Sequence, residues 1–330
     1  MRRVLLFGGF SGWFNLGDLF QLRSFLNFYQ DRGFEPFIIL YKASLQSPFH
    51  LELLKEAFGE NLIFYEKDKF YDSTLREIPK FSFDIFHLYG GGFFNKFWGK
   101  TKLETIEKVL SFFNPQRYFI TGQQVSQEFL PYLKRHLEVF KPDIFAVRDE
   151  VSFEICQKEG LPVEFSFDDA TEYLLEVRKK LGFETSYFGN SSEKKILFLH
   201  LNLSYYVLKE EGEEFFYRER LRSLLSQVDE VILVKSFQNY SLEVKDTFRA
   251  LDYLFATYEK PFGGFIDLSA FALKENWEDL KAFLSRISLH RAICISNSYH
   301  TALFFTFLSI PSILVKLNPY YSQKGSGIWD

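Results

Sequence analysis

The chain has 330 residues, room for two domains of about 150 each, and 47% of them are hydrophobic, enough to fill a core in each half. Charged residues make up 25% and the net charge is −4, with Lys and Arg scattered along the chain, so no basic field invites nucleic acid. The 42 Phe and 18 Tyr against a single Met mark phenylalanine as core filler, and an isolated Phe therefore carries no functional weight.

Two arginines precede residues 4–7, but that apolar stretch is too short for a signal-peptide core. The longest apolar segment, 301–315, contains Ser309 and Pro311 and reads as a buried helix followed by a strand. We expect a cytoplasmic protein without a transmembrane segment; association with a membrane surface stays open, as does the oligomeric state. Cys156 and Cys294 stand far apart in apolar patterns and outside any metal-ligand spacing, so they read as reduced structural thiols with no metal centre.

Short apolar runs alternate with amphipathic stretches of helical length, the pattern of parallel sheets with crossover helices. In chain order the spacing predicts a strand at 4–7, a helix at 19–32, a strand at 37–41 and a helix at 51–58. A strand at 84–89 runs into three glycines and is followed by a helix at 102–113. Next come a strand at 117–121, helix 131–140, strand 144–147, helix 150–159 and strand 163–167. Residues 179–195 turn polar and rich in Gly, Ser and Asn, and read as a linker. The pattern restarts with strand 196–201, helix 213–225 and strand 231–234. Helices at 248–258 and 277–286 follow, then strands at 292–295 and 313–315 around a helix. The fold class is α/β: two Rossmann-like lobes, 1–178 and 196–330, facing a cleft.

In open parallel sheets, ligands bind beyond the carboxyl ends of the strands, and four such ends stand out. Residues 7–18 carry glycines at 8, 9, 12 and 17, which permit close backbone approach. Their spacing is not GxGxxG, which disfavours a dinucleotide-dependent dehydrogenase. Gly12 and Gly17 have P-loop spacing, but Asp18 and Leu19 follow where Lys and Ser/Thr are needed, which excludes a nucleoside triphosphatase. Asn15 and Asp18 can cap the next helix, meet a ligand, or do both. Gly90, Gly91 and Gly92 need a reason for their entropy cost, either a tight turn or a close approach. Arg148 and Asp149 end another strand; the arginine can grip a carboxylate or phosphate in two prongs or form a structural pair with an aspartate. Ser296, Asn297, Ser298, Tyr299, His300 and Thr301 join a strand to an apolar helix, an anion-binding context in which His300 is the candidate for proton transfer near neutral pH. His87 and His200 also lie near strand ends.

In this order the segments resemble the polysaccharide pyruvyl transferase family. The resemblance rests on Gly9, Gly12, Asn15, Gly17 and Asp18 at the start, Gly90–Gly92, and the pair Gly122-Gln123. It continues with Arg148-Asp149 and Ser152, an aspartate after the next strand (Asp168 or Asp169), Ser298-Tyr299-His300 before an apolar helix, and Pro311. The tail at Lys324 to Gly327 is similar to a basic Gly/Ser segment of some members. The match touches most of residues 1–170 and 290–327. Ser298 stands where many members have arginine, and Gln124-Val125-Ser126 where many have glycine and proline.

The resemblance implies transfer of the enolpyruvyl skeleton of phosphoenolpyruvate onto two hydroxyls of a sugar, with loss of phosphate and no further cofactor. The acceptor would be a cell-surface polysaccharide or its precursor, a lipid-linked one being compatible. It implies His300 and Asp18 as catalytic residues. It further implies Asn15, Gly12, Gly17, Gly91, Gly92, Gln123, Arg148 and Ser298 as substrate-binding, with Lys316 and Lys324 as cations in place of the missing arginine. Asn15 and Asp18 would face the acceptor from the first lobe, the second lobe taking the donor. Two other readings stay open: a nucleotide-sugar-dependent glycosyltransferase of the two-lobed type, and a non-catalytic binding protein of the same fold.

Overall fold

The computed structural model describes residues 2–12, 14–96, 98–182, 194–200, 222–238, 262–287 and 289–315. In chain order the first elements are β1 (Arg2–Phe7), β2 (Phe14–Asn15), α1 (Leu16–Gln30), β3 (Phe34–Tyr41), α2 (Pro48–Phe58), β4 (Leu62–Glu66) and β5 (Lys69–Tyr71). Then come β6 (Ile85–Leu88), β7 (Gly91–Phe94), α3 (Gly99–Phe113), β8 (Arg117–Val125), α4 (Leu130–Phe140), β9 (Ile144–Val147), α5 (Glu150–Lys158), β10 (Glu164–Phe165) and α6 (Thr171–Leu181). The remainder supplies β11 (Ile196–His200), β12 (Glu230–Lys235), β13 (Phe237–Gln238), β14 (Phe262–Asp267), α7 (Leu268–Lys274), α8 (Trp277–Leu284), β15 (Ala292–Ser296), α9 (Tyr299–Phe307) and β16 (Ser312–Leu314).

The chain divides into two compact units: Met1–Trp13 with Asp18–Tyr173 and Asp330, and Phe14–Gly17 with Leu174–Trp329. The division at 173/174 falls inside α6, whereas the sequence places the first lobe's end at 178. The linker residues 183–193, most of helix 213–225, helix 248–258 and the tail from 316 lie outside the described residues.

The sheet of the first unit runs β10-β9-β8-β6-β1-β3-β4-β5, with β7 paired to β8. Every pairing in it is parallel except the β4–β5 hairpin. From β1 the chain winds outward through β3 and β4, then returns to place β6 on the other side of β1 and continues to β8 and β9. That reversal makes the β1/β6 boundary a topological switch point, where open sheets leave a crevice beyond their carboxyl ends. The helices pack because their apolar residues recur at helical spacing: Leu103, Ile106, Leu110 and Phe113 of α3 are all buried. Phe113 closes an aromatic cluster with Phe70, Phe81 and Phe83, ring centroids 4.8–5.5 Å apart.

The sheet of the second unit runs β14-β12-β11-β15-β16 and is parallel throughout its described pairings. Its inner strands β11, β12 and β15 are near-continuous apolar runs, as expected where both faces are covered; β11 is buried at all five positions. The winding reverses at β11/β15, a second switch point. Beside this sheet, β2 pairs antiparallel with β13, Phe237 opposite Asn15 and Gln238 opposite Phe14. The Leu16 N–H also donates to the Ser236 carbonyl at 2.8 Å. Cys156 and Cys294 are buried free thiols. Among the described residues no helix is long and apolar enough to cross a membrane.

Candidate functional site

Two groups of polar residues collect beyond strand ends, one in each unit. In the first unit the Arg148-Asp149-Glu-Val-Ser152 segment works as a latch. Asp149 caps α5 by accepting from the Ser152 N–H at 2.8 Å and from its hydroxyl at 2.7 Å. The Ser152 hydroxyl oxygen in turn accepts from the Val125 N–H at 2.8 Å, tying α5 to β8. The Arg148 guanidinium donates to Asp168 Oδ2 at 2.7 Å and to Gln124 Oε1 at 3.2 Å, its side chain 2% exposed. Gln21 on α1 and the Ala170 N–H donate to Oδ1 of Asp168. So engaged, Arg148 forms the buried pair with an aspartate that the sequence allows beside an anion grip.

The triglycine is explained by what packs on it. A Cβ on Gly90 would stand 2.4 Å from Gln21 Cδ, and Gly91 has φ +142° and opens β7 opposite Gln123. These residues thus enter the sheet instead of forming a plain turn. The Gly92 carbonyl accepts from the Asn95 amide. Gln123 is fully buried, donates to the Thr121 carbonyl at 2.8 Å and leaves its Oε1 without a partner among the described residues. Gly122 has φ +60° where β8 slips register, and a Cβ there would meet the Asp169 carboxylate at 2.3 Å. Gly12, at φ +101°, lies by Ser44. Asp18 packs against Gly9, where a Cβ would be 2.3 Å from Oδ1.

Lys102 of α3, absent from the sequence candidates, is buried, donates to the Gly8 carbonyl and lies 3.7 Å from the Phe7 ring centroid. Burial brings its ammonium down to about 7, opposed by the charge of Asp18. Only its distant partners reveal it; in sequence it is one more lysine on an amphipathic helix.

In the second unit, the ends of β11, β12 and β15 bring together His200, Ser236 and Ser296. His200 Nε2 is 2.7 Å from the Ser236 hydroxyl and Nδ1 is 3.2 Å from the Ser296 hydroxyl. Burial pulls its imidazole down to about 4, a hydrogen bond with Asn297 opposing. The Ser296 hydroxyl donates to the Ser298 carbonyl at 3.0 Å and accepts the Ser298 N–H at 2.9 Å, shaping the turn into α9. Ser298 occupies the cap position of α9 without a side-chain capping bond. His300 follows in the first turn, 6% exposed, with the Tyr299 ring 4.8 Å away edge-on.

Against His300 lies the backbone of Gly17, so close that a Cβ would stand 1.8 Å from Nδ1. Asn15 accepts the Gly17 N–H at 3.0 Å and starts α1. The expectation that Asn15 serves the first lobe is corrected: β2–β13 pairing and the Leu16–Ser236 bond place it in the second unit. The structure thus brings Asn15, Gly17, Ser298 and His300 into one unit with His200 and Ser296, and leaves Gly12, Asp18, Gly91, Gly92, Gln123 and Arg148 in the other. Lys316 and Lys324 lie outside the described residues. Among the described residues no group of three or more His, Cys, Asp or Glu side chains could hold a metal ion.

The fold is shared with solved structures of an α-glucosyltransferase. One is in complex with UDP, at 13% identity and a TM-score of 0.51, covering 96% of this chain and 81% of that one. Another holds UDP and a 13-mer DNA with an HMU base, at 13% identity and 0.51, covering 95% and 80%. A UDP-GlcNAc 2-epimerase from Methanocaldococcus jannaschii is similar at 13% identity and 0.44, covering 99% and 88%. The two α-glucosyltransferase likenesses agree with the glycosyltransferase-B-like fold class. No curated protein matches the sequence. The polysaccharide pyruvyl transferase family model matches residues 15–319, taking in the Asn15–Asp18 turn, the Arg148–Asp168 latch and His300 alike, and the chain belongs to that family.

Proposed function

We propose that the protein transfers the enolpyruvyl skeleton of phosphoenolpyruvate to two hydroxyls of a sugar in a cell-surface polysaccharide or its precursor. The methylene carbon gains a proton, two C–O bonds form at the central carbon, phosphate leaves, and a cyclic ketal results. The observation that carries this reading is His300 in the first turn of α9, beside the β11/β15 switch point, in a chain of this family. The reaction needs an acid for the carbon, a base for the attacking hydroxyl, and donors for phosphate and carboxylate. His300 moves the proton. The N–H groups at the start of α9, with Ser298 and Asn297, hold the anionic groups, and Lys316 and Lys324 add charge. Asp18 is the second catalytic residue of this reading. Cytoplasmic residence, where phosphoenolpyruvate is available, belongs to the same reading.

Melting curves with phosphoenolpyruvate, UDP, GDP and UDP-sugars test the donor. A ligand at a hundred times its dissociation constant stabilises by about 2.7 kcal/mol. A shift with phosphoenolpyruvate alone is the expected result. A shift with a nucleotide or its sugar alone overturns this reading in favour of a glycosyltransferase, and no shift with any of them points to a fold kept for binding.

A further inference from the structure

In the first unit a chain of hydrogen bonds ends on one carboxylate. Gly90 N–H and the Thr121 hydroxyl both donate to Asp169 Oδ2, at 2.6 and 2.9 Å. Thr121 has spent its only proton there, so its oxygen accepts from His87 Nε2, 2.9 Å away. His87 Nδ1 then accepts from the Tyr29 hydroxyl at 3.0 Å. Burial drives His87 down to about 3, in keeping with this neutral tautomer. Every donor in the row points toward Asp169, and Oδ2 is saturated.

Oδ1 differs. It has no hydrogen-bond partner among the described residues, and Asp169 is half-buried although its surroundings are buried. The carboxyl fits only because Gly122 lacks a side chain: a Cβ there would lie 2.3–2.8 Å from both carboxylate oxygens. Two glycines and a buried relay thus hold the carboxylate with one oxygen left for a further partner, beyond the carboxyl end of β6 and at the register slip within β8, next to the switch point.

The geometry points to Asp169 as a catalytic residue that binds a sugar hydroxyl through Oδ1 and takes its proton. The hydroxyl's O–H bond breaks, the electron pair stays on oxygen to form the new C–O bond to the central carbon of phosphoenolpyruvate, and the proton ends on Oδ1. This role rests on the pyruvyl-transfer reading and names the group that activates its acceptor. Nearby charge suits the task. Burial pushes the carboxyl up to about 7, Asp168 adds to that, and the Gly90 N–H, Thr121 and Arg148 oppose it. Tyr29 and Tyr89 are the further titratable groups that feel its charge. A base poised near neutral pH can accept a proton and release it each cycle.

The test uses the full chain as wild type, Asp169→Asn, Asp169→Glu and Thr121→Val, with melting curves for each. Saturation-transfer NMR with methyl glycosides of the common hexoses and N-acetylhexosamines reads binding, and phosphate release from phosphoenolpyruvate with the same glycosides reads turnover. Asp169→Asn should weaken glycoside binding about tenfold and lower kcat by a factor on the order of 10²–10⁴, with the KM for phosphoenolpyruvate unchanged. Asp169→Glu should recover part of kcat. Thr121→Val, which removes a bond to the ionised form, should move the acid limb of the pH profile upward. Wild-type binding and turnover in Asp169→Asn, or no glycoside binding to the wild type, would overturn the assignment. Asp169-dependent glycoside binding without phosphate release would instead leave the hydroxyl site standing and remove the pyruvyl reading.

Discussion

The Gly17 backbone and the His300 imbidazole ring are in such contact that no side chain fits between them: a Cβ on Gly17 would be 1.8 Å from Nδ1 and 2.2 Å from Cγ. Gly17 stands in the first turn of α1, so the constraint is space against the ring and not a left-handed backbone. Gly17→Ala must push the ring or the turn aside. Overpacking of this kind costs about 1–3 kcal/mol, and turnover should fall further than the melting temperature accounts for. Unchanged phosphate release in Gly17→Ala would show that the ring's position is immaterial.

His300→Gln keeps a polar side chain but loses proton transfer near neutral pH. Phosphate release should drop by a factor on the order of 10²–10⁴, while the phosphoenolpyruvate-induced melting shift persists. Full turnover in this variant would remove His300 from the mechanism; loss of the melting shift with it would make the residue a donor ligand instead.

Much of the fold is legible because apolar runs and helical spacing are local signals: β9 and the start of β11 fall where the pattern puts them. The β4–β5 hairpin is not assigned from sequence because its turn uses Lys67 and Asp68 at φ 47° and 65°, with no glycine or Asn-Gly pair to announce it. Helix α6 is missed because its ending, Arg178 to Lys180, runs into polar sequence that reads as linker. At the sites, the strand ends and His300 are visible as motifs, but their partners are not. Nothing local links Arg148 to Asp168 twenty residues on, Tyr29 to His87 or Lys102 to Gly8. Those contacts exist only once the sheet order is known, and they separate Asp168, held by Arg148, from its neighbour Asp169, whose Oδ1 has no hydrogen-bond partner among the described residues.

The Arg148–Asp168 pair, with side chains 2% and 3% exposed, sets up the next test. Removing one member of a buried pair leaves the other charge uncompensated, at about 3–5 kcal/mol. Arg148→Met should therefore lower the urea midpoint strongly, and Arg148→Met with Asp168→Leu should recover much of the loss. If Arg148→Met melts like the wild type yet no longer responds to phosphoenolpyruvate, the guanidinium belongs to the donor site after all.

The pH dependence of stability separates Asp169 from the buried histidines by sign. Asp169 has a folded pKa raised to about 7 from 3.8, so the folded state binds more protons between those values. Its contribution is fully present below about pH 3.8 and is lost as pH rises toward 7. His200, lowered from 6.5 to about 4, acts the other way: the unfolded state takes the proton first, and stability falls as pH drops below 6.5. Each group contributes about 1.4 kcal/mol per pH unit inside its window, so between pH 6.5 and 5 the two oppose one another. Asp169→Asn should then lose stability on acidification more steeply than the wild type, and His200→Gln less steeply, as read from urea midpoints at half-unit steps. Parallel curves for Asp169→Asn and the wild type would mean that the Asp169 carboxyl is already ionised throughout that range.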